Sequence, residues 1–443
     1  MLTEARCREI FDIIRRASTA DETEVFLESG RSALTRFANN IIHQNVAEED
    51  TLVSIRAVAD GRTARATTNK TDAESLRRAA ELAVTSARWQ PPDPDLLPLP
   101  EPQSYRKAER FVEETASLTP EQRAEAVKKV VALAEKNRLT AAGVLSSASE
   151  FQALVNSSGL YAEHRETRAE FSVTYLDGGS GWAKGNFTRV SDLRIEELAA
   201  SACQKAVTGR DPKELPPGRY TVILEPAAVL DLVGFLFYDF AGTALLDKRS
   251  CFTDLLGKEV FGENITITDD VYHPLQTGEP WDGEGIPRQA VTLVERGVLK
   301  NLVYARTTAR KMKAEPTGHG MLLPNEYGEA PVNLVFTGGD TSLEEMIRTT
   351  ERGVLVTRLW YIREVDPFEK LLTGMTRDGT FYVENGAVRH AIRNMRFNQS
   401  LKEMLNQVEL LGPAVRAAGE ESFEMVVPAM RVANFHFTEV TRY

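Results

Sequence analysis

Metal binding, nucleophilic attack and proton transfer each need particular side chains at particular spacings, and the six histidines are the first place to look. His43, His164, His273, His319, His390 and His436 are scattered along the chain. No two stand three or four residues apart, so no pair can clamp a metal from one face of a helix. Cys7, Cys203 and Cys251 are odd in number and form no Cys-x-x-Cys, which offers no zinc framework and suits a reducing cytoplasm. Ser157-Ser158 and Ser250 lack the Gly-x-Ser-x-Gly setting of a hydrolase nucleophile. His319, between Gly318 and Gly320, reads as the polar tip of a turn, with peptide contact as its sharper reading. Asp282 and Glu284, downstream of Asp269-Asp270, form an acidic glycine-rich loop. It lacks EF-hand spacing, and a hairpin turn accounts for it. Arg306 and Arg310, with Lys311, stand one helical turn apart. They make either a solvated face or a cationic wall for a peptide's carboxylates.

These residues need elements to hold them, and one stretch organises the rest. Glu225–Ala241 is apolar on every side: Val229, Leu232, Phe235, Leu236 and Phe240 leave no polar face. A helix of that kind is buried or spans a membrane, and Asp231 and Asp239 speak against a span. The spacing predicts a central buried helix over 225–241, with Pro226 at its start and Gly242 past its end. Upstream, Thr3–Ala17 reads as a helix, followed by four strands at Glu24–Leu27, Ala33–Phe37, Ile41–Val46 and Thr51–Ala57. Thr71 and Glu74 have capping-box spacing before a second helix. Pro91–Pro102 holds six of the 20 prolines and forms a stiff connector. The pattern then recurs, with Val144–Asp177 echoing Val25–Asp60 and each ending at Asp-Gly. The expectation is an α+β protein. Residues 1–215 form a duplicated N-terminal α+β domain (repeats 3–90 and 118–207), each unit running α-β-β-β-β-α. Residues 216–443 form a β-rich C-terminal domain around the helix 225–241. Glycines in TLVERGVLKNLVY and TTERGVLVTRLWYI, and Asn385-Gly386 in GTFYVENGAVRHAI, signal hairpins there. Ser342 with Glu345, and Ser400 with Glu403, cap two short helices.

Composition sets the outer limits. A net charge of −11 disfavours a nucleic-acid partner. The first residues, MLTEARCREI, show no signal-peptide pattern, and the expectation is a soluble cytoplasmic protein without a membrane partner.

The order of motifs carries a resemblance. RFANNIIHQ opens the segment Arg36–Asn69; DGEG follows at Asp282–Gly285, GVLKNLVYARTTARKM at Gly297–Met312 and TGHG at Thr317–Gly320. DTSLEEMI at Asp340–Ile347, the run Asp378–Leu405 and VVPAMRV at Val426–Val432 complete it. This ordered set resembles the TldD/PmbA (TldE) family, the "modulator of DNA gyrase" proteins. The resemblance implies a zinc peptidase in TldD-type members, with HExxxH on the central helix and a Cys near the C-terminus. Aligned on that pattern, this chain has Gly234 at the first His, Phe235 at the Glu and Asp239 at the second His. Gly419–Phe423, GEESF, replaces the Cys run. The implied assignment is PmbA/TldE-like: no zinc or other cofactor in this chain, zinc only in a TldD-type partner, and no catalytic residue at the degenerate positions. Arg306, Arg310, His319, Asp282 and Glu284 are the substrate-binding candidates. The implied partners are a TldD-type peptidase subunit, in a heterodimer or higher assembly, an unfolded peptide substrate and a second copy as homodimer. The alternative is a stand-alone hydrolase of the family with an unrecognised site.

Overall fold

Long strands with one solvated end dominate the first half of the computed structural model, which describes residues 2–441. Thr3 caps the helix Glu4–Ala17, and strands β1 (Glu22–Ala38), β2 (Ile41–Ala59) and β3 (Arg62–Thr68) follow before the helix Ala73–Trp89. The order returns as the helix Pro120–Lys136, β4 (Thr140–Asn156), β5 (Tyr161–Leu176), β6 (Ser180–Phe187) and the helix Ile195–Thr208. All six strands form one antiparallel sheet in the order β3-β2-β1-β4-β5-β6, with β1 and β4 meeting at its centre. Each unit therefore has three strands, not four. Ser29-Gly30 and Glu48–Asp50, in the gaps between the four expected strands, lie inside continuous strands paired residue for residue from Glu28↔Leu52 to Ser32↔Glu48. That arm of β2 is solvated on both faces, so it lacks the apolar alternation by which a strand is recognised. Asp72, not Thr71, caps the helix Ala73–Trp89 by accepting from Ser75 N–H. The helix Pro120–Lys136 carries a full capping box between Thr119 and Gln122. Two cores of small and branched residues seat the helices on the sheet, one per unit.

The C-terminal half is β-rich. Strands β7 (Gly218–Leu224), β12 (Arg352–Asp366), β13 (Leu371–Glu384), β15 (Met395–Ser400) and β17 (Met425–Val440) are joined in that order, and β17 returns to pair with β7. That last pairing closes the five strands on themselves. Short strands β8 (Ile267–Asp269), β9 (Val291–Glu295), β10 (Val298–Leu299) and β11 (Leu334–Phe336) extend the sheet from β17; β14 (Ala387–Ala391) and β16 (Val408–Ala417) flank it. Asn385 and Gly386, with φ of 47° and 74°, make the β13–β14 turn as the sequence signalled. Gly353 does not make a hairpin: it lies within β12, where a Cβ would stand 2.7 Å from the Thr221 carbonyl of β7.

The central stretch is apolar and buried as expected, but it is not one α-helix. An α-helix spans Pro226–Val233 and packs on β12 and β17; at Gly234 it tightens into a 3₁₀ segment, Gly234–Phe240. Aromatic residues at 235, 237, 238 and 240 crowd the α form, and a 3₁₀ continuation is a frequent end to a helix. No helix among the described residues is long and apolar enough to cross a membrane.

Candidate functional site

Burying an aspartate in an apolar stretch requires a partner. Asp239, at the end of the 3₁₀ segment, is 3% exposed, and its carboxylate lies 2.6 Å from the Lys370 ammonium. Its other oxygen accepts the Cys251 N–H at 2.8 Å. Lys370 reaches inward from the β12–β13 turn, where Asp366 accepts the Phe368 and Glu369 N–H groups at 2.9 Å each. The same ammonium contacts Glu364 at 2.7 Å. Burial raises the Asp239 carboxyl above its usual range although Lys370 opposes the shift. For Lys370, burial works against the charge, but Asp239 and Glu364 outweigh it and hold the value above normal.

This trio borders a cavity of about 750 Å³ between the 3₁₀ segment, the β12–β13 turn and the loop Glu420–Phe423. Its wall is aromatic. Phe237 meets Phe423 edge-on at 5.5 Å, and Arg249 donates to the Tyr238 hydroxyl at 3.1 Å. The loop is fixed from three sides. Asp231 accepts Glu421 N–H at 3.2 Å, Glu421 accepts Tyr361 N–H at 2.8 Å and Ile362 N–H at 3.2 Å, and Lys184 of β6 donates to the Gly419 carbonyl at 3.1 Å. Burial pushes the Asp231 carboxyl up to about 7. Gly234 packs directly under this loop, and a Cβ there would lie 1.9 Å from Ser422 Oγ.

The residues singled out by type form a separate network. Asp282 accepts three backbone N–H groups, from Glu284 and Ile286 at 2.9 Å and from Gly320 at 2.7 Å. Glu284 accepts Arg306 N–H at 3.1 Å; burial first, then the Asp282 charge, raises its carboxyl to about 7. His319 is not the tip of an exposed turn. It is 1% exposed, bonded to Asp269 at 2.9 Å through Nε2 and to Thr317 at 2.9 Å through Nδ1. Arg306 donates to the Pro98 carbonyl at 2.8 Å, Arg310 to Asp95 O at 3.0 Å, and Lys311 pairs with the Asp95 carboxylate at 2.6 Å. These three cations grip the proline-rich connector rather than line the cavity. The network reaches the cavity through one segment, where Tyr238 donates to the Tyr327 carbonyl at 3.3 Å and Glu329 accepts Thr243 N–H at 2.6 Å.

Against known proteins, three family models match in chain order. They are PmbA/TldA metallopeptidase domain 1 over residues 23–87, the central domain over 110–210 and the C-terminal domain over 217–439. The chain belongs to the PmbA/TldA metallopeptidase family. Among its relatives, the metalloprotease PmbA of Escherichia coli O157:H7 is 23% identical over 94% of this chain and 92% of its own length. A metalloprotease of Methanothermobacter thermautotrophicus is 27% identical over 60% of each chain. The fold is that of TldE from Thermococcus kodakarensis, with a TM-score of 0.89 at 22% identity, covering 98% of this chain and all of that one. A putative modulator of DNA gyrase from Thermotoga maritima gives 0.84 at 22% identity over 98% and 100%.

Tested against the zinc that the family implies, the motif positions do not fit. Gly234 offers no donor and no room for one, Phe235 is apolar, and Asp239 is bound to an ammonium. Ser422, the residue facing Gly234, is a hydroxyl rather than a thiol. Among the described residues, no three His, Cys, Asp or Glu side chains converge as a metal would require. Two cations line the cavity, the buried Lys370 and the half-exposed Arg249. Sequence reasoning missed Lys370 and Glu364, which stand far from the 3₁₀ segment in sequence and belong to no motif, and met Ser422 only as part of the GEESF run. The available signal was Asp239 itself, a carboxylate in an apolar run that needed a polar partner somewhere.

Proposed function

We propose that this member of the family is a non-hydrolytic, peptide-binding subunit that works beside a zinc-carrying TldD-type relative. One observation carries the reading: Asp239, the one acidic side chain of the 3₁₀ segment, is committed to Lys370. Phe235 stands where a general base would be needed, and an apolar ring can neither polarise a water nor accept its proton. The cavity nevertheless keeps an aromatic wall and a polar rim from Glu364, Arg249 and Glu420, the lining of a site that holds a chain segment. An extended peptide could gain main-chain hydrogen bonds from a neighbouring strand, which gives affinity with little dependence on sequence. The three thiols, all buried and unpaired, suit a cytoplasmic setting.

Digestion of an unstructured peptide tests this directly, using the purified chain alone, a TldD-type relative alone and the two mixed, each with and without chelator. The expected result is no cleavage by this chain alone and chelator-sensitive cleavage that the mixture enhances. Robust, chelator-sensitive cleavage by this chain alone overturns the reading.

A further inference from the structure

A second cavity, of about 720 Å³, opens where the two halves of the chain meet. The N-terminal half supplies Arg138, just before β4, and the β5–β6 turn at 177–179. The C-terminal half supplies Thr380 of β13 and the link 392–394 between β14 and β15. These walls are tied to each other. Arg210 donates to the Asn137 carbonyl at 3.0 Å and to the Asp177 carboxylate at 2.9 Å. A Cβ on Gly179 would stand 2.3 Å from the Gly209 carbonyl carbon, so the turn sits directly on the end of the helix Ile195–Thr208. Lys213 N–H donates to the Ala391 carbonyl at 3.0 Å and Arg393 N–H to the Lys213 carbonyl at 2.9 Å, strapping the connection between the halves to the C-terminal wall. A cavity held this way is formed before any ligand arrives, and binding carries little ordering cost.

The charges left over have one sign. Asp177 is the one acid lining the cavity among the described residues, and Arg210 neutralises it. Arg138 has no ion pair among the described residues. Arg393 reaches only Glu214, 3.9 Å away and 74% exposed, a pair that water screens almost completely. The Thr376 and Thr380 hydroxyls donate to Asn394 Oδ1 at 3.4 and 3.3 Å, which leaves the two Nδ2 donors without an acceptor among the described residues. In a chain of net charge −11 this is a local reversal of sign. Among the described residues no aromatic ring lines the cavity, so nothing there would stack a base. Guanidinium forks match the paired oxygens of phosphates and carboxylates.

We propose that this cavity binds a small, multiply charged oxyanion, a phosphate chain or a polycarboxylate, between Arg138 of one half and Arg393 of the other, with Asn394 as a neutral donor. The volume lies in the range of small-molecule sites. The site shares no lining residue with the cavity beside Lys370 and stands independently of the peptide-binding reading.

Calorimetric titration of the full chain with inorganic triphosphate and, separately, with citrate tests this, at fixed ionic strength in chloride. One-to-one binding of at least one probe is expected, and the tighter of the two identifies which oxyanion the site takes. Arg138→Asn removes one cation while keeping a residue that tolerates the left-handed backbone at φ 58°, and Arg393→Gln removes the other. Both arginines are exposed, so both variants are expected to melt with the native protein. Each is expected to weaken binding roughly ten-fold or more, as the loss of a charge-assisted hydrogen bond would. Asn394→Asp puts a carboxylate where the donors stand and is expected to abolish binding. A native chain that binds neither probe overturns the proposal. So does binding that Arg138→Asn and Arg393→Gln both leave unchanged, because the anion then sits elsewhere.

Discussion

Replacing Lys370 by methionine keeps the aliphatic stem and removes the one cation that Asp239 has. The side chains of Lys370 and Asp239 are 6% and 4% exposed, so water cannot take over the solvation of the abandoned carboxylate. Breaking one partner of a buried pair costs about 3–5 kcal/mol. Glu364, 30% exposed, adds little because solvent can take Lys370's place there. For a domain of this size each kcal/mol shifts the melting temperature by roughly 2–4 °C, so a loss on the order of 10 °C is expected. The pH dependence has a definite sign. Lys370 is held above its usual value, so its contribution is complete throughout the neutral range and is lost only as the pH climbs past its folded value. In the variant, burial acts on Asp239 without Lys370 to oppose it, leaving only the Cys251 bond, and raises its carboxyl further. A raised acid binds its proton more tightly when folded, so the variant loses stability as pH rises from the ordinary aspartate range through the folded value. The defect should therefore be smaller near pH 5 than near pH 8. Adding Asp239→Asn should recover much of it, since the amide leaves no bare charge. The assay is thermal melting by fluorimetry at both pH values for native, single and double variants. Equal losses at the two pH values, or a double variant no better than Lys370→Met alone, would refute the argument.

Three further outcomes follow from packing, the missing thiol and burial. Gly234→His should cost about 1–3 kcal/mol by overpacking against Ser422, and Ser422→Gly should relieve it; the triple change Gly234→His, Phe235→Glu, Asp239→His should still yield no peptidase, as measured by peptide digestion. Glu284, raised by burial to about 7, stabilises the fold in its protonated form, a contribution lost as pH rises from the ordinary glutamate range through 7. Glu284→Gln should flatten the fall in melting temperature over that interval, and an unchanged profile would remove Glu284 as its cause.

Much of the fold was legible because burial leaves a periodic trace. The apolar run 225–241, the Ser342 cap and the Asn385-Gly386 turn each follow from local chemistry, and each occurs where the sequence places it. The β1–β2 arm was illegible for the opposite reason: a strand solvated on both faces has no pattern to read. At Gly234 the chain packs closely under Ser422, a contact between distant residues that no local pattern reports. The same distance hid the site. His319, Asp282 and Arg306 looked chemical because polar residues stand out in a sequence, yet their partners are Asp269, backbone N–H groups and the Pro98 carbonyl. Lys370 drew no notice because a lysine beside a turn is ordinary until its partner is known.

Lys184 deserves a last consequence. It stands on β6 of the N-terminal sheet but holds the Gly419 carbonyl, at the root of the loop that walls the C-terminal cavity. A ligand that shifts this loop must stretch or release that bond, and whatever free energy the bond withholds from the ligand, the ligand withholds from the bond. Occupancy of the cavity and the seating of the two halves on each other are therefore thermodynamically linked. The chain thereby has a physical means of reporting to its N-terminal sheet, and to whatever that sheet touches, that the cavity is full.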